Sequence, residues 1–156
     1  MTTLRPTWTS ALFGALLVSV AGTALAHHEA DLTMDEPMAV GGITTLCTGA
    51  GENVRDDVRM QDYALRVEVA GAGGQYLGDQ IVEISGANLD EPIRVFCKAP
   101  WVLFQVADGQ YNVSTWLGHD SLPKTAAIFV GGPGQTNIVM SFPNEGGAIR
   151  RVAQLD

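Results

Sequence analysis

From residue 63 onward the chain alternates apolar and polar positions in short runs. Over residues 63–69, Tyr63, Leu65, Val67 and Val69 share one face and Arg66 and Glu68 take the other. That two-residue period belongs to a half-buried strand. Runs of the same kind cover 80–85, 93–97, 111–117, 125–130 and 136–142. Their predicted inward residues are Val82 and Ile84, then Tyr111, Val113, Thr115 and Leu117, then Ile138, Met140 and Phe142. Residues 101–106 are apolar almost throughout, the pattern of a strand covered on both faces. Gly-rich stretches at 71–74 and 131–134 separate the runs and supply turn residues. Asp108 and Gly109 lie between two apolar runs and predict a hairpin over 101–118. Seven short strands with such turns predict an all-β, seven-stranded antiparallel sandwich. Upstream, Gly41 and Gly42 open a short strand over 40–46. Val54 and Val58, four residues apart, predict one short helix over 52–61 that must pack on the sheet to persist. Residues 27–39 are acidic and aperiodic and read as a flexible arm. Residues 143–156 read as a flexible tail.

Residues 1–26 stand apart from this pattern. Arg5, an apolar run over 11–21, and Ala24 and Ala26 compose a signal peptide cleaved after Ala26. The apolar run is shorter than the roughly 20 residues a membrane span needs. Cleavage leaves 130 residues, one domain with a modest core. It removes one of nine Lys and Arg and none of 17 Asp and Glu, so the remaining chain carries a net charge of −9. A surface of that sign offers no phosphate-neutralising patch, which excludes nucleic acid as a partner. The expected location is the bacterial periplasm or the medium, with no membrane-spanning segment after cleavage.

Cys47 and Cys97 are the two cysteines. In an exported chain this count points to one disulfide, the alternative being two separate buried thiols.

The stretch 107–113, A-D-G-Q-Y-N-V, resembles the Gly-x-Tyr-x-Val turn of carboxypeptidase regulatory-like domains, which are transthyretin-like sandwiches. Gly41 and Gly42, the charged helix over 52–61, Y-x-L-x-V over 63–67 and P-W-V-L over 100–103 are similar to a subset of small exported bacterial proteins that consist of little else. The likeness covers residues 41–142. It implies structural roles for Gly109, Trp101 and Tyr111, whose hydroxyl would close a tyrosine corner. It implies a fold and no reaction. The 5-hydroxyisourate hydrolases share this fold and end in Tyr-Arg-Gly-Ser, where this chain has G-G-A-I-R-R over 146–151.

The candidate chemistry is sparse. Cleavage after Ala26 makes His27 the N-terminal residue, whose amine and ring, with His28 and His119, compose a candidate copper(II) site. The plainer reading is paired histidines on a solvated acidic arm and an exposed turn histidine at His119. His119, Asp120 and Ser121 are adjacent and cannot take nucleophile–base–orienter geometry. Trp101 and Trp116 are candidates for a stacking platform, with Trp101 expected in the core and Trp116 facing outward as a binding surface. Arg55, Asp56, Asp57 and Arg59 read as a solvated helix face. No catalytic residue and no cofactor besides copper is expected. The leading expectation is a non-enzymatic exported module that binds an envelope protein or a small ligand through loops or a sheet edge. A periplasmic copper-binding protein is the alternative.

Overall fold

All seven strands predicted after residue 62 form, and three more precede them. The computed structural model describes residues 27–118 and 121–143. The signal peptide expected at 1–26, His119, and the expected tail beyond Pro143 lie outside the described residues. In chain order the elements are β1 (His28–Asp31), β2 (Met38–Val40), β3 (Ile43–Thr48), α1 (Glu52–Arg55), a 3-10 turn (Val58–Asp62), β4 (Leu65–Gly71), β5 (Gln80–Gly86), β6 (Ile93–Cys97), β7 (Trp101–Phe104), β8 (Gly109–Leu117), β9 (Lys124–Val130) and β10 (Thr136–Phe142). Sheet A runs β1-β6-β5-β8-β9 and sheet B runs β10-β4-β7-β3-β2. The protein is an all-β sandwich of two five-stranded sheets, which corrects the count of seven.

Four further expectations change. The segment 27–39 carries β1 and the start of β2. β1 adds to sheet A through main-chain pairing with β6, from His28 opposite Ile93 to Asp31 opposite Phe96. Backbone pairing leaves no side-chain period to read, and Leu32 is its one deeply buried residue, 7% exposed. The pairing is also not wholly antiparallel: β1 is parallel to β6, and β10 is parallel to β4. Strands far apart in sequence need no tight turn and so are free to pair in parallel. The helix over 52–61 is one α turn followed by a 3-10 turn. Asp57 interrupts it in extended conformation, where its carboxylate caps the Arg59 N–H at 3.0 Å.

The hairpin expected over 101–118 is a corner between sheets. β7 pairs with β3 and β4, whereas β8 pairs with β5 and β9. Alternation has the same period whether a turn doubles back or crosses to the facing sheet, so the pattern alone does not separate them. The Tyr111 hydroxyl closes the corner by donating to the Ala107 carbonyl at 2.8 Å. Gly109 serves a close approach here: a Cβ would lie 2.5 Å from Nδ2 of Asn88, which donates to the Asp108 carbonyl at 2.8 Å.

Between the sheets lie Leu65, Val67, Val69, Val82, Ile84, Val95, Phe104 and Val113, all fully buried. The Cys47–Cys97 disulfide forms inside this layer and joins β3 of sheet B to β6 of sheet A. Among the described residues no helix is long and apolar enough to cross a membrane.

Candidate functional site: a roofed groove on sheet B

The outer face of sheet B is apolar where a solvated face would be polar. Leu65, Val67, Val102 and Phe104 point into the core, so strand alternation turns Arg66, Glu68, Trp101, Leu103, Leu46 and Thr48 outward. Register sets them in two rows, Glu68–Trp101–Thr48 and Arg66–Leu103–Leu46. Leu46, Leu103 and Trp101 are nevertheless at most 3% exposed. The crossover from β3 to β4, residues 49–63, lies over them as a roof. Burying three large apolar side chains contributes about 2 kcal/mol each, which gives this short irregular segment its reason to stay in place.

Specific contacts fix the roof. Gly49 has φ +94°, and a Cβ there would stand 2.6 Å from the Trp101 indole. A glycine is therefore required for conformation and for room. The Arg66 guanidinium lies 4.5 Å from the Trp101 ring centroid and its Nε lies 2.7 Å from Glu68 Oε1. That pairing neutralises Glu68, which is only 6% exposed. Tyr76 meets Trp101 edge-on with centroids 5.9 Å apart. At the far end Gln135, in the β9–β10 turn, donates its side-chain amide to the carbonyls of Met60 and Tyr63.

Between the roof and the β2 side of the sheet a groove of about 420 Å³ remains open. Thr44, Leu46 and Gln105 form its floor, and Arg59, Met60, Asp62 and Tyr63 form the roof-side wall. Asp35 and Pro37 form the opposite wall. Its size lies within the range of small-molecule sites. Asp35 holds a left-handed backbone at φ +60° and accepts a 2.6 Å hydrogen bond from the Thr48 hydroxyl. Arg59 is engaged by the Asp57 carboxylate through its side chain. That pairing holds the Asp57 carboxyl below its ordinary value.

Partial burial raises the Tyr63 phenol above its ordinary 10.0, and the neighbouring Asp62 charge pushes the same way. A raised folded pKa favours the protonated form. Its contribution to stability is whole below pH 10 and is lost as pH climbs through the raised value. In an ultraviolet titration Tyr63→Phe should remove a component ionising above the ordinary phenol. Asp62→Asn should lower that component only partly, because burial is the larger cause. A Tyr63 component at or below 10.0 would contradict the assignment.

The residues singled out from sequence do not converge. Trp101 is buried, but on the outer face of sheet B and not in the inter-sheet core. Trp116 lies on the outer face of sheet A, half-buried, with the Arg94 guanidinium 5.1 Å from its ring centroid and Arg94 paired to Glu83 at 2.7 Å. The two tryptophans therefore cannot build one platform. His27 Nε2 lies 3.3 Å from Glu29, whereas His28 Nε2 lies 3.6 Å from Glu91 and its ring packs on Gly41. Among the described residues no three His, Cys, Asp or Glu side chains gather as a metal site. Sequence reasoning missed the groove residues Asp35, Pro37, Thr44 and Gln105. The signal that could have found them is the strand 101–106, read as covered on both faces: one cover is the facing sheet, and the other has to be a loop. The chain matches no known family profile and no curated protein.

Proposed function

We propose that this protein is an exported, non-enzymatic binding module of the carboxypeptidase regulatory-like type, and that its roofed groove receives a small, partly apolar ligand. The observation that carries the reading is the groove itself. An apolar surface of Leu46, Pro37, Met60 and Tyr63 is rimmed by Asp35, Arg59 and Asp62, with Gln105 as a polar group on the floor, the usual make-up of a ligand site. Internal bonds already engage two rim groups, Asp35 with Thr48 and Arg59 with Asp57. Such groups orient a ligand, whereas acid–base turnover needs groups free to exchange protons. The buried disulfide supports an oxidising compartment.

A second reading places binding at the sheet edge. β9 and β10 are seven-residue edge strands, and Phe129 and Val139 on them are 64% and 57% exposed. Long apolar edges of this kind accept a partner strand.

Titration with the neutral fluorescent probe N-phenyl-1-naphthylamine separates the two. The groove predicts saturable, one-to-one enhancement. Thr44→Trp, which fills the groove floor from an exposed position, should weaken it by about tenfold, the effect of losing about 1.4 kcal/mol. Enhancement indifferent to Thr44→Trp but lost in Phe129→Lys would move the site to the edge. No saturable enhancement would overturn the groove.

A further inference from the structure

Arg55 belongs to the stretch read from sequence as a solvated helix face, yet it is held in one place. Its Nε donates to the Gly49 carbonyl at 3.2 Å, and its guanidinium carbon lies 4.5 Å from the Tyr76 ring centroid and 5.8 Å from that of Trp101. Stacking occupies the flat face of a guanidinium and leaves its in-plane N–H groups at the edge. The other described arginines engage carboxylates: Arg59 with Asp57, Arg66 with Glu68, and Arg94 with Glu83. Arg55 is exposed and has no carboxylate partner among the described residues. In a chain of net charge −8 an unpaired cation on a fixed side chain is conspicuous.

We propose that Arg55, braced by Tyr76 and Gly49, is a recognition point for a single carboxylate carried by a ligand or by a peptide C-terminus. The terminal nitrogens of Arg55 present a planar fork that matches a carboxylate in bidentate fashion. Fixing a free arginine side chain normally opposes binding by its rotamer entropy, and here the protein has already fixed it. A monoanion fits better than a phosphate dianion. Glu52 and Asp56, beside Arg55 on the same turn, repel a second negative charge, and Arg66, engaged by Glu68, supplies no further cation to offset it. Tyr76, 40% exposed, offers the ligand an apolar neighbour. This site is distinct from the groove, whose wall is built by Arg59, Met60 and Tyr63 further along the roof, and neither proposal depends on the other.

The test is a nuclear magnetic resonance titration of the intact protein, following the Arg55 Nε–H and Trp101 indole N–H signals. The probes are acetyl-glycyl-phenylalanine, its C-terminal amide, acetate and inorganic phosphate. The free acid should shift both signals to saturation, and the amide should bind at least about tenfold more weakly, having lost a charge-assisted pair. Arg55→Lys keeps the charge but loses the fork and should weaken the free acid by a similar factor, while Arg94→Gln, on the outer face of sheet A, should leave it unchanged. Acetate as tight as the peptide identifies a small acid as the occupant; a tighter peptide identifies a C-terminus. Equal response to acid and amide, no saturation, unaltered binding in Arg55→Lys, or tighter phosphate would each overturn the proposal. The acid–amide comparison needs no variant, so a failure of Arg55→Lys to fold leaves it decisive.

Discussion

Replacing Cys47 and Cys97 together by alanine should lower the free energy of unfolding by about 4 kcal/mol. Their sequence separation is 50, and closing a loop of that length removes this much denatured-state entropy in the chain-entropy model. The bridge also has a folded-state role that many surface disulfides lack. Both cysteines are wholly buried, and they tie β3 in one sheet to β6 in the other. Each sheet is held internally by main-chain bonds, but across the sandwich the remaining forces are packing contacts. Loss of two buried sulfurs adds a cavity penalty to the entropic one. Denaturant unfolding with and without reductant checks this. Transitions separated by less than about 1 kcal/mol would show that packing alone fixes the sheets.

The second large effect is at Gly78, where alanine should cost about 3 kcal/mol, near the top of the range for overpacking. A Cβ there would run into the Lys98 carbonyl oxygen, a backbone atom that cannot swing aside. The site is a junction. Asp79, next in sequence and left-handed at φ +56°, donates its N–H to that same carbonyl, and its own carbonyl accepts from Gly118 N–H at 3.0 Å. Gln80 reaches across to the Ala99 carbonyl at 2.8 Å. Making room for one methyl therefore strains the ends of β5, β6 and β8 together, beside Cys97. Gly132→Ala is the comparison. Its φ of +93° carries the backbone strain, but nothing lies within 4 Å of its Cβ, so it should cost only about 1 kcal/mol. Equal unfolding midpoints for the two variants would mean that the junction yields.

The strands from Leu65 to Phe142 were legible because most of them show a buried face as alternation and Trp101–Phe104, buried on both faces, shows a continuous apolar run, and Cys47 and Cys97 were legible as a pair by count and compartment. Three things were not. The pairing of β1 with β6 is made by main-chain groups, so the acidic text of residues 28–31 gave no hint of it. The destination of the turn at Asp108 and Gly109 depends on which sheet has room for β8, a tertiary fact that no local pattern contains. The groove is assembled from Asp35, Thr44, Met60 and Gln105, which share no motif and meet only because the 49–63 segment folds over Leu103 and Trp101. Arg55 illustrates the same limit: its spacing suits a solvated helix, and its stacking partner Tyr76 lies 21 residues away in a different loop.

The parallel pairing of β10 with β4 has a kinetic consequence. Leu65 is matched by Thr136, 71 positions later. A chain delivered N-terminus first from a ribosome therefore holds β4 without its β10 neighbour until residues 136–142 emerge. Contacts of such long separation are slow to form because loop closure precedes any reward. Sheet B gains its β10 edge only after residues 136–142 have been delivered, so β4 stays half-paired while every strand between it and β10 is made.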